Sequence, residues 1–93
     1  MKDYEKKIFR AALRRFGLQR QMQKLNEEFH ELGVLLAHDA EGRSVRRRDI
    51  AEEIADCQIM LDEMVCWYQV ADEVKRQRDY KVRRLAERIG GKL

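Results

Sequence analysis

The chain contains no proline, so no position among its 93 residues forces a break in a helix. Apolar residues recur at intervals of three and four, the spacing that places side chains on one face of an α-helix. Residues with high helix propensity fill most of the remaining positions. We therefore expect residues 1–93 to form a single all-α domain, a small bundle of about four helices.

Glycines and capping residues divide this pattern into separate helices. Asp3 is a suitable N-cap for the first helix, and Gly17 is placed to end it. A loop around Gly42 precedes the third helix, for which either Ser44 or Asp49 can serve as the N-cap. The predicted helices cover residues 3–15, 18–40, 47–68 and 71–89, and the last of them has the weakest apolar pattern.

The second and third predicted helices each carry an apolar stripe. The stripe of the second helix consists of Leu18, Met22, Leu25, Phe29, Leu32 and Leu36. The stripe of the third helix consists of Ile50, Ile54, Cys57, Leu61, Met64, Val65 and Tyr68. A chain this short buries only about 60–65% of its unfolded surface, which leaves a thin core. We therefore expect a homodimer or a homotetramer.

Charge and hydropathy exclude several classes of protein. Hydrophobic residues make up 44% of the chain and recur at helical spacing, which argues against a disordered tail although 40% of the residues are charged. The net charge of +3 is too small to indicate a nucleic-acid partner. The sequence has neither a membrane-spanning apolar run of about 20 residues nor the apolar segment of a signal peptide. We expect a cytoplasmic protein without a membrane partner.

Two pairs of acidic residues stand on consecutive predicted helices: Glu28 and Glu31 on the second, Glu53 and Asp56 on the third. Carboxylates three residues apart share one helical face, so two packed helices can bring all four around a cation. Without a divalent cation, such a group of acids would repel one another. Oxygen ligands without cysteine favour Mg²⁺, with Mn²⁺ as the alternative.

Helical geometry sets Glu53 apart from ordinary surface acids. At about 100° per residue, Glu53 lies within the apolar arc of its helix, and Asp56 lies at the flank of that arc. Glu28 stands at the edge of the stripe of the second helix, with Glu31 further out. A buried unpaired charge costs several kcal/mol, so Glu53 is expected to have a partner.

The acidic pairs and their surroundings resemble the MazG-like nucleoside triphosphate pyrophosphohydrolases, whose signature is an ExxE helix followed by an ExxD helix. The pairs are separated here by residues 32–52, an interval that this family accommodates. Residues 51–62 are similar to the EEIAD-type helix of its short, phage- and prophage-associated members. Gly17 and Gln21 also fit the resemblance.

A basic segment of the fourth predicted helix extends this resemblance. Residues 79–84 are similar to the late N-x-K-F-x-R-R segment of the family, with Asp79 where asparagine is usual and Val82 where an aromatic residue is usual. Lys81 and Arg84, three residues apart on one helical face, could clamp phosphate groups. Asp79 and Gln21 are further candidates for substrate contact.

The resemblance implies Mg²⁺-dependent hydrolysis of nucleoside or deoxynucleoside triphosphates to a monophosphate and pyrophosphate. In such a hydrolase the carboxylates hold the metal, which binds phosphate oxygens and helps to generate a nucleophilic hydroxide. The metal ligands and catalytic residues implied here are Glu28, Glu31, Glu53 and Asp56.

Other interpretations remain open. A helical module without catalytic activity could bind a nucleotide or nucleic acid through the basic cluster Arg43–Arg48. The acids could be ordinary solvated residues, since ExxE arises by chance in charged helices. Glu27 and His30 have the spacing found in di-iron bundles, but that architecture needs a second such motif. Trp67 and Tyr68 could stack on a base, although packing explains such residues more simply.

The two cysteines do not indicate a metal or disulfide site. Cys57 and Cys66 lie about half a turn out of phase on one predicted helix, so they cannot pair with each other. We expect both of them to be small core residues.

Overall fold

The computed structural model describes residues 1–90, and these residues form four α-helices without any strand. The helices are α1 (Asp3–Phe16), α2 (Leu18–Ala40), α3 (Arg47–Tyr68) and α4 (Ala71–Arg88). The prediction of an all-α bundle is confirmed. The bounds of α2 and α3 agree with the prediction, while α1 is one residue longer and α4 one residue shorter than expected.

The predicted N-caps are wrong at both α1 and α3. Lys2 caps α1, and its backbone N–H donates to the Glu5 carboxylate at 2.8 Å, so Asp3 is already helical. Arg46 caps α3, and its guanidinium donates to Asp49 at 3.2 Å, one turn inside the helix. An acid in the first turn interacts favourably with the helix dipole without acting as a cap, which explains why the acidic residues suggested the caps.

Helices α2 and α3 form an antiparallel hairpin. Glu63, late in α3, accepts hydrogen bonds from Gln21, early in α2, whereas Glu53, early in α3, lies beside Glu28. Helix α1 packs on both helices and most extensively on α3. The buried apolar residues of this three-helix arrangement are Phe9, Leu13, Cys57 and Met60.

Much of the predicted apolar surface of the hairpin remains exposed. Five members of the two stripes, here called the apolar face, range from 41% exposed at Phe29 to 55% at Tyr68. The apolar face consists of Phe29, Leu36, Ile54, Leu61 and Tyr68. The line of α2 that faces α3 instead contains Gln21 and Glu28. Helices α2 and α3 therefore bury one side of each apolar stripe between them. The other side of each stripe stays exposed to solvent.

Helix α4 has little contact with the rest of the chain. It packs on α3 alone, and none of residues 71–88 is buried. The radius of gyration, 16.1 Å, exceeds the value of about 12 Å expected for a compact chain of this length. None of the helices in residues 1–90 combines the length and the apolar character needed to cross a membrane.

Candidate metal centre

The packing of α2 on α3 brings three carboxylates together. Glu28 from α2 and both Glu53 and Asp56 from α3 each offer an oxygen within 4.8 Å of the other two. These are three of the four ligands predicted from the sequence. Because neither helix supplies all three residues, the group exists only when the hairpin is folded.

The depth of the three acids differs from the sequence-based expectation. Glu28, which was placed at the edge of its stripe, is only 7% exposed, while Glu53 is half-buried and Asp56 is exposed. The reason is the rotation of α2, which turns the line through Gln21 and Glu28 toward α3 and turns Phe29 outward. Glu28, rather than Glu53, is therefore the deepest acid of the site.

Two carboxylate oxygens of the group lack a partner. Oε2 of Glu28 and Oε2 of Glu53 are both inaccessible to solvent and accept no hydrogen bond from any group of residues 1–90. A buried acceptor without a partner loses its hydration and receives nothing in exchange, at a cost of about 1–3 kcal/mol. A divalent cation between the two helices would satisfy both oxygens at once.

Glu31 belongs to the same electrostatic environment although it is exposed and lies outside the group of three. Burial raises the pKa of Glu53 from 4.5 to about 7, and the nearby carboxylates of Glu28 and Glu31 add to this shift. At neutral pH and without a bound cation, the Glu53 carboxylate is therefore partly protonated, which lowers the negative charge of the site.

Cys57 borders the site without offering a sulfur ligand. Burial, followed by the negative charge of the neighbouring acids, raises the pKa of its thiol, so it stays protonated. Cys57 is buried as predicted, whereas Cys66 is only partly buried, and both are free. The donor set consists of oxygen atoms, which fits Mg²⁺ or Mn²⁺ better than zinc.

Two grooves adjoin the carboxylates. One, of about 190 Å³, is lined by Lys24, Glu28, Asp56, Ile59 and Met60. The other, of about 430 Å³, is lined by His30, Glu31, Val34, Leu35, Asp49, Glu52 and Glu53. Both grooves lie on the side of the hairpin away from the apolar face, because Glu31 and Asp56 each stand two residues, or about 200°, from an apolar-face residue.

Sequence reasoning missed Lys24, which forms an ion pair with the deepest acid. Its Nζ lies 3.4 Å from Oε1 of Glu28, one helical turn further along α2. The signal was present in the sequence, because Lys24 and Glu28 have the i, i+4 spacing of a helical ion pair. The sequence did not show that Glu28 faces α3.

The four predicted substrate contacts do not gather at the acids within one chain. Asp79, Lys81 and Arg84 are exposed on α4, and no residue of α4 lines either groove. The guanidinium of Arg84 lies over the ring of Tyr80, 5.7 Å from its centroid. The prediction that these residues meet the triphosphate therefore requires another arrangement of α4 or a second chain.

Gln21, the remaining predicted contact, has a different partner. Its Nε2 donates to both oxygens of Glu63, at 3.0 and 2.9 Å, and the two side chains are buried between α2 and α3. Sequence reasoning also missed Glu63, which is 3% exposed. Its position three residues after Met60 was the available signal, because that spacing keeps it near the buried side of α3.

The arginine cluster is largely paired with acids beside it in sequence. Arg43 lies 3.9 Å from Glu41, and Arg48 lies 3.3 Å from Glu52. Arg46 is paired with an acid of the first turn of α3 in the same way. These pairs reduce the charge available to a nucleic acid.

The residues considered for base stacking lie far from the acids. Trp67 and Tyr68 are exposed at the end of α3, about 17 Å or more along the axis from Asp56. The candidate site thus consists of the acids, their two grooves and Lys24.

No protein-family model, curated protein or solved structure matches the chain.

Proposed function

We propose that the protein holds Mg²⁺, or alternatively Mn²⁺, between α2 and α3 and hydrolyses nucleoside or deoxynucleoside triphosphates to a monophosphate and pyrophosphate. One observation carries the proposal: Glu28, Glu53 and Asp56 each place a carboxylate oxygen within 4.8 Å of the other two, and Glu28 and Glu53 each have a buried oxygen without a partner. The resemblance of the two acidic helices to the MazG-like pyrophosphohydrolases supplies the reaction.

The residues of the site have distinct parts in this proposal. Glu28, Glu53 and Asp56 hold the cation, and Glu31 beside Glu53 adds a fourth carboxylate. When bound, the cation supplies a Lewis acid for phosphate oxygens and for an attacking water. The two grooves that adjoin the acids offer space for the phosphate chain.

The oligomer is the second part of the proposal. We propose that a second copy of the chain covers the apolar face, because residues 1–90 of a single chain bury only four apolar residues and leave this face open. Two hairpins joined along such faces would form a four-helix arrangement with a shared core.

The proposed reaction is tested by the products formed. Incubation with a panel of ribonucleoside and deoxynucleoside triphosphates and Mg²⁺ should yield a monophosphate and pyrophosphate. In Glu53→Gln this release should be abolished while the helical circular dichroism is retained. Glu27→Gln is the matched control, since Glu27 is the exposed neighbour of Glu28, lines neither groove and should keep activity.

Two outcomes would contradict the proposed reaction. Products consisting of a diphosphate and inorganic phosphate would rule out pyrophosphate release. Full activity in Glu53→Gln would remove the metal assignment. A gel shift with generic DNA that weakens with salt and persists in Glu53→Gln would instead favour the binding module based on Arg43–Arg48.

A further inference from the structure

Within residues 1–90, Lys24 is the one basic residue that forms an ion pair with the acid group. Among the ion pairs of residues 1–90, only that of Lys24 with Glu28 involves a carboxylate of the site. The ammonium lies 3.4 Å from Oε1 and leaves Oε2 of the same carboxylate without a partner. The lysine therefore compensates part of the charge that a cation would neutralise.

The two members of this pair differ in their freedom to move. The side chain of Lys24 is 56% exposed, whereas that of Glu28 is 9% exposed. A lysine ammonium is compact, strongly hydrated and carried on a flexible four-carbon stem, so it can return to water with little hindrance. Glu28 is held between the helices. If a second positive charge arrives at Glu28, Lys24 is the group that leaves.

The place to which Lys24 would move is also defined. Its side chain lines the groove of about 190 Å³ together with Glu28 and Asp56. A cation held by those acids would present its remaining coordination positions toward this groove, and a phosphate bound there would bring negative charge to the lysine. The ammonium would thus lose one anionic partner and gain another in the same place.

We propose that Lys24 exchanges partners during ligand binding: it holds Glu28 at 3.4 Å before the cation binds, yields that carboxylate to the cation, and then contacts the phosphate that the cation carries. This inference rests on the proposed metal-dependent function. It assigns Lys24 both a competing role toward the metal and a binding role toward the anion. An ordinary helical ion pair on a surface would have neither role.

Metal binding alone tests the competing role. Mn²⁺ is titrated by calorimetry into the full-length wild type, Lys24→Met and Lys7→Met at low ionic strength. Lys24→Met should bind Mn²⁺ about three- to tenfold more tightly than wild type, and added salt should narrow the difference. Lys7→Met, which removes the same charge from an exposed position of α1, should match wild type. Equal or weaker binding in Lys24→Met overturns the inference.

Pyrophosphate binding tests the second role. The Mn²⁺ complex of inorganic pyrophosphate, added to each Mn²⁺-loaded protein, should bind about three- to tenfold more weakly to Lys24→Met than to wild type. Lys24→Arg should keep most of the wild-type affinity, because it keeps the charge. An unchanged affinity in Lys24→Met also overturns the inference.

The two proposals fail in different ways in these experiments, because neither titration requires hydrolysis. Mn²⁺ uptake by wild type without any effect of Lys24 overturns the partner exchange alone. Absence of Mn²⁺ uptake by wild type overturns both proposals. If Lys24→Met shows both expected changes in affinity but no triphosphate yields pyrophosphate, the partner exchange is supported and the proposed reaction is overturned. Matching thermal melts of the variants confirm that each of them is folded.

Discussion

Glu28 carries a charge in the least exposed position of the site. It is 7% exposed, Lys24 satisfies one of its oxygens, and the other oxygen has no partner in residues 1–90. Replacing such a group with an apolar residue often stabilises a protein, because the desolvation cost of the charge disappears. The Glu28 carboxylate thus lowers the stability of the folded state unless a cation is present.

Glu28→Leu should therefore separate stability from metal binding. With EDTA present, its free energy of unfolding in urea should exceed that of wild type by about 1–2 kcal/mol. Added Mg²⁺ should stabilise wild type and leave Glu28→Leu unchanged. Glu27→Leu, at the exposed neighbouring position, is the control. A variant that is less stable than wild type in EDTA would show that the carboxylate contributes favourably to the metal-free fold.

Glu53 makes the stability of the metal-free protein depend on pH. Its pKa is raised from 4.5 to about 7, so the folded state binds the proton more tightly than the unfolded chain. The stability from this proton is complete below pH 4.5 and is lost as the pH rises to about 7. Urea denaturation in EDTA should show this decline in wild type and a smaller one in Glu53→Gln. Parallel pH curves for the two proteins would contradict the assignment.

At the scale of the helices, the buried pair of Gln21 and Glu63 links α2 to α3. Burial raises the pKa of Glu63, although the hydrogen bonds from Gln21 act in the opposite direction. Removing the donor would leave a buried carboxylate without these bonds. The pair therefore contributes to the hairpin at some distance from the acids of the site.

Gln21→Leu should reduce the free energy of unfolding by about 1–3 kcal/mol at neutral pH, as measured in urea. The double variant Gln21→Leu/Glu63→Met should recover much of this loss, because neither polar group is then left without its partner. Gln23→Leu, an exposed substitution two residues further along α2, should have little effect. A loss that persists in the double variant would point to poor packing rather than to the unpaired acid.

The elements of the fold were predictable because their boundaries have local causes. Gly17 and Gly42 adopt positive φ angles, +87° and +80°, which other residues rarely adopt, and both glycines mark turns. The rotation of α2 about its axis was not predictable. The apolar stripe of α2 is wider than the surface that α3 covers, so the stripe does not determine which of its edges is buried. Phe29 therefore looked buried and Glu28 peripheral, and the structure reverses their positions.

The acid group was predictable in composition and less so in depth. Three of the four expected carboxylates meet, because Glu28 lies on the buried line of α2 and comes close to Glu53 and Asp56 of α3. The substrate contacts predicted on α4 were drawn from a sequence pattern that contains no information on how α4 packs. Lys24 was missed because an ion pair of this spacing is usually a surface feature.

For the molecule as a whole, the apolar face and the acids lie on opposite sides of one hairpin. Leu61→Glu should convert the proposed dimer into a monomer, because it places a charge within the proposed interface. Light scattering coupled to size-exclusion chromatography measures this change in mass. Ile59→Glu is the control, since Ile59 is equally exposed but borders the acid groove. A wild type that is monomeric at high concentration would contradict the proposed second copy.

Gly17 is the complete connection between α1 and α2, since it ends the first helix and begins the second. Its φ of +87° and ψ of 149° lie in a region that glycine alone occupies comfortably. The 14 residues of α1 form a rod about 21 Å long, so a rotation of about 10° at this joint moves its far end by about 4 Å. That end places the sulfur of Met1 3.4 Å from Cys66 on α3. The two backbone torsion angles of Gly17 thus determine the angle at which α1 packs against the end of α3.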